Sequence, residues 1–220
     1  MPVTIAGATT NTLAEVEAGS RALRVVNRAP DFGTLGSYAM SLNSGIMAAG
    51  IAGASPVFSF RFAPTIVPTS FALIKRVEIN VAAGITGFAS GVSLFNMFAL
   101  RNFTANQAGG TAGTLTGNNG KLRTSMGTTG VADFRISSTA ALTGSSYTAD
   151  AQPLAQITAG TPTTVNYQLV APNSQFWREE VGEMPLVLAI NEGFGIQVTV
   201  PATGTWYFGV SVTWDEVATY

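Results

Sequence analysis

An all-β fold is predicted, an antiparallel sandwich of jelly-roll type, and three observations predict it. Apolar residues recur at a period of two in several short segments, the pattern of half-buried strands. Turn residues separate those segments at spacings of 8–20 residues, and no segment reads as an amphipathic helix, as in a sandwich or jelly roll. No composition break or fixed-period repeat marks a second domain, so residues 1–30 read as an N-terminal arm and residues 31–220 as one β-sandwich domain.

The clearest element closes the chain. Ile196, Val198 and Val200 alternate with Gln197 and Thr199. Beyond Pro201-Ala202-Thr203-Gly204 the alternation resumes, with Trp206, Phe208, Val210, Val212 and Trp214 on one face. Thr205, Tyr207, Gly209, Ser211, Thr213 and Asp215 lie on the other. A short Pro/Gly loop between two such runs predicts an antiparallel hairpin.

Earlier segments follow the same logic. Phe58, Phe60 and Phe62 share one face of a short strand. In "FALIKRVEINVAAG", Leu73, Val77, Ile79 and Val81 face one way, with Lys75 interrupting them. The nearly continuous apolar run from Val92 to Phe103 suits a strand covered on both faces; its β-branched and aromatic content and flanking glycines favour strand over a short buried helix. "VADFRIS", "TTVNYQLVAP" and the run from Leu186 to Ile190 complete eight or nine strands. Residues 106–130, rich in Gly and Thr, read as one long loop, a length that usually signals a function, a partner or disorder. Poor in large apolar groups that would offset the cost of ordering, the loop and the arm are expected to pack against other chains through backbone hydrogen bonds and small-residue contacts.

Two uncharged spans, residues 32–60 and 79–100, are long enough for membrane helices. Both are interrupted by asparagines, glycines or proline and predict strands and tight turns instead, so no membrane partner is expected. The N-terminal "MPVTIAGATTNTLAEVEAG" lacks the basic and apolar regions of a secretion signal.

Composition narrows the chemistry. Of 220 residues only 11 are basic and 12 acidic, and the polar load falls on 27 threonines and 24 glycines with Ser and Asn. A surface this poor in charge favours association, which predicts a subunit largely covered by its own copies or by partners. With no histidine and no cysteine, Ser-His-Asp and Cys-His nucleophiles and thiolate metal sites are excluded. A net charge of −1 argues against direct nucleic-acid binding, which needs clustered Lys and Arg.

"GNNGKL" is not a phosphate loop, because Leu115 stands where the first glycine belongs and Leu122 follows Lys121. "GFGIQV" lies between strands rather than before a helix, so it carries no dinucleotide signal. Glu179, Glu180 and Glu183 are the carboxylate cluster considered for glycoside hydrolysis, and a surface acidic turn is the preferred reading. The chain is read as a non-enzyme without cofactor or metal.

Binding candidates are few. Arg21, Arg24 and Arg28 form the one local cluster of positive charge in the arm, read either as a solvated strand edge or as a contact with acidic neighbouring subunits. Trp206 and Trp214 lie in the core-facing register, which leaves Trp177 and Tyr207 as free aromatics for an interface or for stacking on sugars.

Residues 184–218, "MPLVLAINEGFGIQVTVPATGTWYFGVSVTWDEVA", resemble a pattern common in virion structural proteins of tailed bacteriophages. Its parts are an "NEGF"-type opening, a Pro-Ala-Thr-Gly-like turn and a last strand of alternating aromatic and apolar residues. The resemblance implies a jelly-roll-like capsid-associated subunit, such as a cement (decoration) protein, with a major shell or tail component as neighbouring options. It implies localisation in the virion and partners that are other copies of itself, a trimer favoured, and a major capsid protein. A carbohydrate-binding β-sandwich module is the alternative from another class.

Overall fold

Alternating side chains build two antiparallel sheets whose inner faces meet in one core. The computed structural model describes residues 35–48, 51, 55–144, 146–161, 168–180 and 184–220. In the first sheet the order is β1 (Gly36–Asn43), β13 (Thr205–Val217), β4 (Phe71–Ala83), β10 (Gln168–Arg178). Short strands β2 (Met47–Ala48) and β11 (Leu186–Leu188) pair with β13 and β4. The second sheet runs β6 (Thr111–Ala112), β7 (Val131–Ile136), β3 (Ser55–Phe62), β12 (Glu192–Thr199), β5 (Gly91–Arg101), β8 (Thr148–Ala149), with β9 (Ala155–Thr161) also on β5. Among the described residues there is no helix, hence none long and apolar enough to cross a membrane.

The predicted faces form the core. Phe58, Phe60 and Phe62 from β3 are fully buried, as are Trp206, Phe208, Val210, Val212 and Trp214 from β13, which close on them from the opposite sheet. Trp214 meets Phe60 edge to face at 5.4 Å and stacks on Tyr38 at 5.4 Å and on Phe134 at 6.1 Å. Aromatic rings supply the largest buried areas available to a side chain, so this cluster anchors one sheet on the other. On β5, Ser93, Phe95, Met97 and Ala99 are buried while Leu94, Asn96 and Phe98 are half-buried. The strand expected there is present, with its second face only half covered.

Three expectations need correction. First, the closing hairpin does not form: β12 pairs with β3 and β5, whereas β13 pairs with β1, β4 and β2. The intervening loop bonds sideways instead, with Thr205 N donating to Thr86 O (2.9 Å) and Ala89 N to Thr203 Oγ1 (3.0 Å). A period of two fixes which face of a strand is buried, but it does not say which strand lies beside it. Here both strands point at the same core from opposite sheets.

Second, Lys75 is no intruder in a regular strand. The β4–β13 register skips it, passing from Arg76↔Thr213 to Ile74↔Trp214. This bulge shifts the alternation by one residue, so Ala72 and Ile74 join Val77, Ile79 and Val81 in the core while Leu73 falls outside that cluster.

Third, residues 106–130 are held by their own chain. Gly113 N donates to Phe134 O (2.7 Å), Ala39 N to Gly120 O (2.7 Å), Leu122 N to Ser37 O (3.1 Å) and Ala108 N to Thr143 O (2.8 Å). The backbone partners expected from neighbouring subunits are supplied by β1, β7 and the 143 loop. Strands β1 and β9 and the short β2, β6 and β8 were not separately recognisable in the sequence. The arm, residues 1–30, lies outside the described residues.

Candidate functional site

Two surfaces stand out, and β13 contributes to both. Its outward residues form the middle of a shallow strip across the first sheet. The register aligns Asn43, Gly209 and Asn80 in one row, Ser41, Ser211 and Glu78 in the next, and Ala39, Thr213 and Arg76 beyond. Ser41 and Ser211 share a 2.7 Å hydrogen bond, and Arg76 pairs with Glu78 at 3.4 Å. Tyr207 stands two residues before Gly209 on the same face, 39% exposed.

The second surface is a cleft where the end of β13 meets the end of the Gly/Thr-rich loop. Pro64, Ile66 and Val67 wall it on one side and residues 127–130 on the other, with Glu216 among its lining groups. Glu216 continues the inward register of Trp214 and is only 3% exposed. Its carboxylate accepts hydrogen bonds from Thr129 Oγ1, from Gly130 N (2.9 and 3.0 Å to its two oxygens) and from Trp214 Nε1 (3.1 Å). Tyr38 adds a bond from its hydroxyl to Gly127 O (3.1 Å). The carboxylate is thus committed to the protein's own donors, and it clamps residues 129–130 onto the sheet.

Burial raises the Glu216 pKa above the ordinary carboxylate range, and the hydrogen bonds from Thr129, Gly130 and Trp214 only partly oppose this. Burial, reinforced by the Glu216 charge, pushes the Tyr38 hydroxyl up as well. A carboxyl with a raised folded pKa contributes stability that is full below its unfolded value, about 4.3 for Glu. That contribution is lost as pH rises through the folded value. The stability of wild type relative to Glu216→Gln should therefore increase as pH falls from neutral into the mildly acidic range. Thermal melts of both proteins from pH 7 to pH 5 check this; a difference that shrinks on acidification contradicts it.

Most described charges are satisfied internally. Lys75 pairs with Glu179 (2.8 Å) and Asp215 (3.7 Å), Arg135 with Asp133 (3.1 Å), and Arg101 with Asp150 (3.0 Å) and Glu192 (2.9 Å). Burial raises the Asp133 pKa in spite of its Arg135 partner.

The residues singled out in the sequence separate accordingly. Arg21, Arg24 and Arg28 lie outside the described residues, as does Glu183. Glu179 is the Lys75 partner, and Glu180 is exposed beside it. Tyr207 is exposed as expected. Trp177 is not free: register shifts in β10 place it opposite the inward Val77, and it packs half-buried against the core. Its indole N–H is buried without a hydrogen-bond partner among the described residues.

Residues not anticipated are Asn43, Asn80, Gly209 and Glu216. Glu216 had a signal, an acid in core register two positions after Trp214. The other three come together only through strand pairing. No protein family, curated protein or solved structure matches this chain.

Proposed function

We propose that this protein is a jelly-roll structural subunit of a bacteriophage virion, a cement (decoration) protein that binds the capsid surface and works by subunit contacts. The observation that carries the reading is the strand order. Eight long strands, β1, β3, β4, β5, β9, β10, β12 and β13, fall into the orders β1-β13-β4-β10 and β3-β12-β5-β9. The chain crosses between sheets at every step except β5 to β9, the arrangement of two nested Greek keys. Strands β6 to β8 belong to an insertion in that one step. Viral capsid domains are prominent users of the double-sheet jelly roll, and the closing segment's resemblance to phage virion proteins points the same way.

The surface favours association too. Ile66 is 81% and Met184 75% exposed, and Ile85, Val92 and Leu122 also face solvent, on a chain with few charges to keep copies apart. Full-length protein is expected to form a homo-oligomer by light scattering, a trimer favoured, and to co-sediment with purified capsids. A strict monomer that does not co-sediment would overturn the proposal.

Deleting residues 1–20 is expected to leave the β circular-dichroism signal intact, because every described strand of the sandwich begins at or after Gly36, while weakening capsid co-sedimentation. That association should persist at high salt, since few charges exist to be screened. Loss of the β signal, or unaltered co-sedimentation, would show that the arm is not an assembly element.

A further inference from the structure

We propose that the outward face of the first sheet carries a binding site for a neutral glycan, centred on Tyr207 and on a notch over Gly209. Three features of that face select this ligand class, independently of the assembly reading.

The first is the notch. Gly209 lies between Asn43 and Asn80 in cross-strand register. A Cβ added there would lie 2.6 Å from Asn43 Oδ1 and even closer to Asn80 Oδ1. Both carboxamides therefore lean over the one residue that has no side chain. Neither is hydrogen-bonded among the described residues. A carboxamide carries both an acceptor oxygen and a donor NH₂, and a sugar hydroxyl is likewise donor and acceptor, so two amides over one notch match a pair of ring hydroxyls.

The second is the platform. Tyr207 points to the same side two residues earlier, about 7 Å along the strand at the usual rise. An exposed ring beside a polar notch offers an apolar face to sugar C–H groups and a phenol to its hydroxyls. The hydroxyl pair Ser41–Ser211 continues the polar row on the far side of the notch.

The third is charge. Of the two arginines on this face, Arg76 is ion-paired with Glu78 and Arg178 lies opposite it on β10. Both stand two outward rows from Gly209, so a phosphate or sialic acid over the notch finds no cation in its own row or the next. A protein partner would need an apolar centre to the patch, and the centre here is two amides and a glycine.

The test uses full-length protein on a printed array of neutral and acidic glycans, followed by calorimetry with the best neutral oligosaccharide. Binding to neutral glycans is expected. Tyr207→Ala should weaken it about tenfold or more, the scale of a lost aromatic contact. Gly209→Ala should do the same by forcing the amides apart, with no polar group removed. Asn80→Ala, at a half-buried outward position, carries the test if Gly209→Ala misfolds. Trp177→Phe should leave affinity unchanged. A blank array, binding to acidic glycans alone, or full affinity in Tyr207→Ala or in the folded notch variant would overturn the proposal.

Discussion

Trp214→Ala is expected to destabilise the domain by about 3–5 kcal/mol, the range for emptying a buried aromatic position. Trp214 is fully buried and touches three other rings, from β1, β3 and β7. It therefore joins its own sheet to the facing one, and a cavity here cannot be closed by movement of a single strand. The indole N–H also supports the Glu216 carboxylate, so truncation weakens the clamp on residues 129–130. Trp214→Phe, which keeps a ring and loses that donor, should cost about 1–2 kcal/mol. Urea unfolding monitored by circular dichroism measures both. A loss below about 1 kcal/mol for Trp214→Ala would mean that the aromatic cluster does not join the sheets.

What the sequence disclosed follows from what periodicity can encode. The inward residues of β3, β12 and β13 were legible because their large apolar side chains recur at every second position with small or polar residues between them. The pairing of those strands was not. Ile196 and Phe208 lie on strands that adjoin in sequence, yet they belong to different sheets, and alternation looks the same in a hairpin and in a crossover.

The bulge at Lys75 was half visible. A charged residue out of phase marks a break in alternation, but a break alone does not tell a bulge from a solvent-facing defect. Strand β1 was hidden because "GSYAMSLN" mixes small and polar residues; its Tyr38 becomes a core residue only once Trp214 is beside it. The candidate glycan notch was invisible for a related reason. Asn43, Asn80 and Gly209 are far apart in the chain, and only the register of three strands places them in one row.

The "NEGF" opening behind the phage resemblance has an architectural explanation, and it leads to the second large effect. Asn191 adopts a left-handed backbone, φ 61°, which Asn tolerates better than most residues. Its side chain accepts a bond from Arg61 (2.7 Å), and its N–H donates to Phe62 O (2.7 Å). Glu192 accepts from Ala189 N (2.9 Å) and from Arg101 (2.9 Å).

Gly193 then enters the sheet against the β3 backbone, where an added Cβ would collide with the carbonyl oxygen of Phe60 and stand 3.0 Å from the Phe103 ring. That carbonyl belongs to the strand ladder and cannot swing aside. Gly193→Ala is therefore expected to cost about 2–3 kcal/mol or more, the upper part of the overpacking range. Gly209→Ala meets only the ends of two asparagine side chains, which can rotate away, so its stability loss should be much the smaller of the two. Thermal and urea unfolding of the two variants side by side make the comparison. Equal losses would show that the β3–β12 pair yields as easily as surface amides do, and that the glycine in this motif is not fixed by close backbone approach.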